Sequence, residues 1–131
     1  MATPSVLVVE NEVLIRLELG EVFRQTGFTV AVVGDASDAI AALEASISKV
    51  RALVTDINLG SGELSGWEVA RRARLLNPAI PVVYLTGRGT DEWAAYGVPH
   101  SVLLTKPCSL YDVTDAVARL MVNVPFTKLN V

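Results

Sequence analysis

Short apolar runs alternate with helical periods along nearly the whole chain. Ser5 to Val9 is rich in β-branched residues and predicts a buried strand. Behind it, Asn11 is a predicted helix cap, and Ile15, Leu19, Val22 and Phe23 recur at helical spacing until Gly27 ends the helix. Phe28 to Val33 predicts a second strand, and Ala36, Ala39, Ile40 and Leu43 a second helix capped by Asp35 or Ser37. Ala52 to Thr55 predicts a third strand that delivers Asp56 at its C-terminal end. A loop rich in glycine and serine, from Gly60 to Gly66, leads into a helix carrying Val69, Ala70, Ala73 and Leu76, which Asn77-Pro78 stops. Pro81 opens a fourth strand, Val82 to Leu85, with Thr86 at its end. Gly87 to Pro99 reads as a loop with a short, weakly specified helix. Val102 to Leu104 predicts a fifth strand ending at Thr105-Lys106-Pro107, and Ser109 caps a last helix striped by Leu110, Val113, Val117, Leu120 and Met121.

Five strand–helix units in succession predict an α/β fold, a doubly wound five-stranded parallel sheet. The expected organisation is one domain over residues 1–122 and an aperiodic C-terminal tail over 123–131. Composition sharpens this: 51% of the 131 residues are hydrophobic, yet no apolar run approaches the ~18–20 residues that span a bilayer. Strands buried on both faces account for that apolar content. The N-terminus lacks the basic flank and apolar stretch of a signal peptide, and Cys108 has no second cysteine to pair with, so a cytoplasmic setting is expected. A net charge of −3 gives no general attraction to nucleic acid or to an anionic membrane. Arg71, Arg72 and Arg74 read as the solvated face of their helix.

In doubly wound sheets, ligands bind beyond the carboxyl ends of the strands. That rule brings Glu10 and Asn11, Asp56, Thr86 and Lys106 to one edge, each from the end of a different strand. A carboxylate, a hydroxyl, an amine and a second acidic turn suit phosphoryl transfer. Asp56 is the candidate nucleophile. Mg²⁺, which takes one or two carboxylates with other oxygens and water, has candidate ligands in Asp56, Glu10 (through water), the Asn11 amide oxygen and the Asn58 backbone carbonyl. Lys106 offers a cation to phosphoryl oxygens and Thr86 a hydroxyl donor. His100 is the only histidine, so neither a His-rich metal site nor a Ser-His-Asp triad has support. Cys108 reads as a small apolar residue, and Trp67 and Trp93 as packing or partner contacts.

The chain resembles a response-regulator receiver domain, from Val6 to about Met121. The resemblance is carried by Glu10-Asn11 after the first strand, Asp56 in Leu-Val-Thr-Asp-Ile-Asn-Leu, Gly66 leading the third helix, Thr86, and Lys106-Pro107. It implies a flavodoxin-like (βα)5 fold and an aspartate that receives phosphate, with Mg²⁺, from a sensor histidine kinase or phosphotransfer protein. It also implies a cis peptide before Pro107 that aims Lys106 into the site. Asn11 departs from the family's usual metal-binding aspartate, and Leu103 stands where many receivers carry a switch Tyr or Phe. The segment Val83 to Gly89 resembles a subclass with a Phe-Ala-Thr-Gly-like motif, in which the loop after strand four carries the signal; Gly87 and Gly89 fit a mobile segment there. The expectation is a stand-alone, non-enzymatic receiver, monomeric or weakly dimeric, that signals to a downstream protein or serves as a phosphate sink. A degenerate receiver that binds partners without phosphorylation is the alternative, with Asn11 its best argument. A haloacid-dehalogenase-type phosphatase is the enzymatic rival: Asp56-Ile57-Asn58 mimics its Asp-x-Asp motif, but follows the third strand and ends in an amide.

Overall fold

Side chains alternate across each inner strand, and each face of the sheet meets its own layer of helices. A computed structural model of the chain describes residues 5–60, 62, 64–87 and 91–122. The strands are β1 (Ser5–Val9), β2 (Thr29–Val33), β3 (Ala52–Asp56), β4 (Val82–Thr86) and β5 (Val102–Thr105). The helices are α1 (Val13–Gln25), α2 (Ala36–Ser46), α3 (Gly66–Leu76), α4 (Asp91–Tyr96) and α5 (Leu110–Met121), with a single 3₁₀ turn at Ile47–Lys49. All pairings are parallel in the order β2-β1-β3-β4-β5. The predicted doubly wound five-stranded sheet is therefore the observed one.

Leu7, Val9, Leu53, Val82 and Tyr84 point to one face, where α2 and α3 cover them through Ala39, Leu43, Val69, Ala70 and Ala73. Val6, Val8, Ala52, Val54, Val83 and Leu85 point to the other, beneath Leu19, Val22 and Phe23 of α1 and Val113, Ala116 and Val117 of α5. Residues of β1 from Val6 onward, and all of β3 and β4, are buried, because both faces are covered.

Strand ends run slightly further than the apolar runs predict. Asp56 pairs with Leu85 and Thr86 with Thr105, so the polar residues that end β3, β4 and β5 are held in the ladder itself. Phe28, in contrast, precedes β2 and packs edge-on against Phe23, with ring centroids 5.5 Å apart. Asp35 caps α2, accepting the Asp38 amide at 2.8 Å. Ser109 caps α5 in a reciprocal pair with Asp112.

Asn11 is not the cap of α1. Glu12 holds that position, without a side-chain cap bond, and its amide donates instead to the Glu10 carboxylate at 3.1 Å. The three arginines of α3 are also not a merely solvated face. Arg71 donates to the Tyr96 carbonyl at 3.2 Å, Arg72 pairs with Glu44 of α2, and Arg74 donates to the carbonyls of Ile80 (2.7 Å) and Pro99 (2.5 Å). They tie α3 to α2 and to the chain on either side of β4. Trp67 and Trp93 are packing residues: Trp67 is buried, and the Trp93 indole donates to Ser101 at 2.9 Å. Arg88, Gly89 and the tail 123–131 lie outside the described residues, and with them the expectations placed there.

Candidate functional site

Chain connections leave β1 and β3 on opposite sides of the sheet, so a crevice opens at their carboxyl ends. Four segments converge on it. Glu10 follows β1, Asp56 closes β3, Thr86 closes β4, and Lys106 follows β5. A cleft of about 600 Å³ there is walled by Asn11, Glu12, Asp56, Asn58, Thr86 and Lys106 among others.

Its centre is one ammonium between two carboxylates. Lys106 Nζ donates to Asp56 Oδ2 at 3.0 Å and to Glu10 Oε1 at 3.1 Å. The second oxygen of Glu10 accepts the Glu12 amide, and that of Asp56 accepts the Asn58 amide at 3.4 Å. Glu10 is fully buried and Asp56 is 5% exposed, whereas the Lys106 side chain keeps 23% of its surface. Burial raises the pKa of Glu10, and the nearby Asp56 charge adds to this, while the Glu12 amide and Lys106 pull the other way without cancelling it. For Lys106, burial acts to lower the pKa, but bonds and charge from Asp56 and Glu10 outweigh it and leave the ammonium more firmly protonated. With all three ionised the trio carries a net negative charge in a largely dehydrated place, an arrangement that favours an additional cation.

Local sequence explains how the walls are held. Gly66 begins α3 with its amide bonded to the Ile57 carbonyl at 2.8 Å. A Cβ there would lie 2.2 Å from the Asp56 carbonyl oxygen and 2.9 Å from Ile57 Cα, so only glycine permits the helix to start against the strand end that carries Asp56. Ser65 caps α3, and Glu68 reciprocates by accepting the Ser65 amide and hydroxyl, both at 2.6 Å. Burial pushes Glu68 up, but these Ser65 donors and Arg71 outweigh it and hold its carboxyl below the usual range. The Lys106–Pro107 peptide is cis, as expected, and the Lys106 amide donates to the Thr86 carbonyl at 2.6 Å.

Glu10, Asn11, Asp56, Asn58, Thr86, Gly87 and Lys106 stand at this edge of the sheet, but their depths differ, and Leu103 lies further back, inside β5. Glu10 lies beneath the cleft with both oxygens engaged, while Asn11 is exposed on its wall. Among the described residues no three His, Cys, Asp or Glu side chains group closely enough to hold a metal by themselves. The donors on offer are mixed oxygens: the Asp56 carboxylate, the Asn11 amide and backbone carbonyls such as that of Asn58. That set fits a small hard dication that keeps water and phosphate oxygens in its shell.

Several neighbours of the site are not evident from the residue pattern alone. Ser65 and Glu92 also line the cleft. The Ser-x-x-Glu spacing of a capping box was present at Ser65 and Glu68; Glu92 sits in the short helix whose periodicity is weak. Leu103 packs on the α2/α3 side of the sheet, against the cluster that holds Tyr84. The buried aromatic of this region is on β4 instead. Tyr84 lies 4.8 Å from Trp67 between ring centroids, and Trp67 lies 6.1 Å from Tyr96 of α4. The Tyr84 hydroxyl accepts the Val98 amide at 3.1 Å, and burial raises its pKa. Cys108 packs against the α1/α5 core, and burial raises its thiol pKa.

Comparison with known proteins agrees with this geometry. A receiver protein from Sinorhizobium medicae superposes with a TM-score of 0.87 at 32% identity, covering 92% of this chain and 96% of that one. The receiver domain of the Pseudomonas aeruginosa sensor histidine kinase PA1611, solved with magnesium in its active-site cleft, shares the fold at a TM-score of 0.77 and 20% identity, covering 92% of this chain and 98% of that one. Among curated proteins, the Mycobacterium tuberculosis "Probable transcriptional regulatory protein TcrX" is 32% identical over 111 residues, 83% of this chain but 46% of that protein. The chain thus spans about half the length of that relative. Residues 6–118 match the family model described as the response regulator receiver domain, and the chain belongs to that family, the receiver domains of two-component response regulators.

Proposed function

We propose that Asp56 is the phosphoryl acceptor, taking the group from a phosphohistidine on a sensor histidine kinase or phosphotransfer protein with Mg²⁺ bound beside it. One observation carries the reading: the Lys106 ammonium is held between buried carboxylates delivered by two different strands, at the mouth of the crevice. An Asp56 oxygen lone pair forms the new O–P bond while the P–N bond to the donor imidazole breaks. The electron pair stays on that nitrogen, which is reprotonated from solvent. Mg²⁺, when bound, offsets the negative charge of the two anions as they meet. Asp56, the Asn11 amide oxygen and the Asn58 carbonyl are the residues that would hold it, with Glu10 acting through water. Magnesium in the active-site cleft of the PA1611 receiver supports a metal at this place in the fold.

Lys106 and Thr86 then turn to the phosphoryl oxygens as charge-assisted and hydroxyl donors. Phosphorylation adds about −1.5 to −2 charge with three acceptor oxygens. Inverting a 1:99 equilibrium takes about 5.5 kcal/mol of differential stabilisation, which a few such bonds in a dehydrated pocket can provide. Thr86 and Gly87 lead the response, and Tyr84, two residues before Thr86, links β4 to α3 and α4 through Trp67 and Tyr96. With Leu103 unable to act as an aromatic switch, the signalling face is β4, the segment after it, α4, β5 and α5. The reading is of a receiver unit over residues 1–122 that works by contact with a downstream protein or as a phosphate sink, as a monomer or weak dimer, without catalysis of its own. The acidic net charge of the chain, −3, supports protein rather than nucleic-acid contact. A cytoplasmic setting suits a kinase partner, and among the described residues no helix is long and apolar enough to cross a membrane.

The test is intact-mass measurement after incubation with Mg²⁺ and a small acyl phosphate. The wild-type chain is expected to gain one phosphoryl mass and Asp56→Ala none; an unmodified wild type refutes the reading. Asn11 favours a second one, a degenerate receiver that binds partners unphosphorylated, because an amide brings no charge to the metal. Absence of Mg²⁺ binding even at roughly tens of millimolar would select it.

A further inference from the structure

We propose that Arg16 is a positioning residue for the metal-binding turn, and that Gly34 is a glycine so that the Arg16 guanidinium can be seated there. The inference rests on the phosphoacceptor reading above and deepens it. Arg16 stands in the first turn of α1, where a cation opposes the helix dipole, so its position asks for a compensating contact. It has one. The Arg16 Nη1 donates to the Glu10 backbone carbonyl at 2.9 Å, reaching back from the helix to the end of β1. The Glu10 amide, on its other side, donates to the Val33 carbonyl at the end of β2 at 3.1 Å.

The geometry of this clamp matters because of which peptide it grips. The Glu10 carbonyl belongs to the peptide plane that joins Glu10 to Asn11. Fixing that plane sets the direction in which Asn11 leaves the strand, and it also anchors the residue whose carboxylate holds Lys106. A neutral amide ligand has less electrostatic pull on a dication than a carboxylate. Its affinity therefore depends more on being already in place before the ion arrives.

Gly34 supplies the independent observation. It follows β2 directly, and a Cβ built on it would lie 2.5 Å from Arg16 Nη1 and 3.4 Å from its Cζ. Its φ lies outside the left-handed region, so alanine meets no left-handed strain there. Among the described residues, the close obstacle to a methyl group is the far end of a flexible side chain. Gly34→Ala should therefore push the guanidinium off the Glu10 carbonyl while leaving the fold intact, and it keeps the arginine charge. That separates placement of the turn from simple electrostatics.

The experiment is a Mg²⁺ titration of the purified chain, followed through the backbone amide resonances of Asn11, Glu12 and Asn58, with thermal unfolding of the metal-free proteins in parallel. Residues that orient a metal ligand typically contribute about 10-fold or more to affinity, so Gly34→Ala and Arg16→Ala are each expected to weaken Mg²⁺ binding by about that factor. Gly34→Ala should do so with little change in unfolding temperature. Because both act through one contact, the Arg16→Ala/Gly34→Ala double variant should bind no more weakly than Arg16→Ala alone. Wild-type affinity in Gly34→Ala, or additive losses in the double variant, overturns the inference. Should Arg16→Ala fail to fold, Gly34→Ala decides the matter alone. A wild-type chain that shows no Mg²⁺ response defeats the metal-dependent reading itself, which is a separate outcome from a wild type that binds and variants that match it.

Discussion

Lys106→Met is expected to lose about 3–5 kcal/mol of stability at pH 7 without metal, the usual cost of removing one partner from a buried ion pair. Lys106 itself is partly exposed, but Glu10, which it leaves behind, is fully buried and keeps the Glu12 amide as a donor. The pH dependence identifies the cause. Glu10 already has its pKa raised in the folded state, chiefly by burial, and loss of the ammonium raises it further. An acid with a raised folded pKa favours folding below its unfolded value of about 4.3 and loses that contribution as pH rises through the folded pKa. The gap between variant and wild type should therefore narrow as pH falls toward 5, and also when Mg²⁺ is added at pH 7. Urea unfolding at pH 5 and 7, with and without Mg²⁺, measures both effects. A deficit that stays constant across these conditions would show that Lys106 contributes packing rather than charge.

Gly66→Ala is expected to destabilise by about 3 kcal/mol or more, at the upper end for overpacking, because the obstructing atoms are backbone and cannot rotate away. The methyl carbon would fall 2.2 Å from the Asp56 carbonyl, so α3 must retreat from the end of β3 or β3 must bend. Either movement displaces Asp56 from the Lys106 ammonium. The variant should show a lowered urea midpoint and slower phosphoryl uptake together. Gly34→Ala, whose obstacle is a movable guanidinium, should lose affinity for Mg²⁺ but not stability. Near-wild-type stability in Gly66→Ala would mean that the start of α3 does not define the position of Asp56.

Strand ends were the most legible part of this chain. An apolar run stops where a polar residue appears, so Asp56, Thr86 and Lys106 could be placed at one edge before any coordinates. What escaped were depth and reach. Nothing in a one-dimensional pattern distinguishes Glu10, fully buried, from Asn11 beside it, because burial there depends on β2 and Lys106 arriving from far along the chain. Arg71, Arg72 and Arg74 occupy polar positions of a helical period and so read as solvent-facing, yet their long side chains, like that of Arg16 in α1, fold back onto carbonyls and carboxylates outside their own helix. Asn11 has the chemistry of a cap but sits one residue too early, and Glu10 provides the carboxylate for that turn instead. The short α4 stayed weakly specified because six residues carry too few apolar positions to fix a period.

The most direct test of the account adds Mg²⁺ and a trifluoroberyllate phosphoryl mimic and follows the amide resonances of Asn11, Asn58, Thr86, Gly87 and Lys106. Signals from all four strand ends are expected to move together and saturate, and Asp56→Ala is expected to abolish the response. Resonances that stay still in the wild type, or that shift equally without the Asp56 carboxylate, would contradict it.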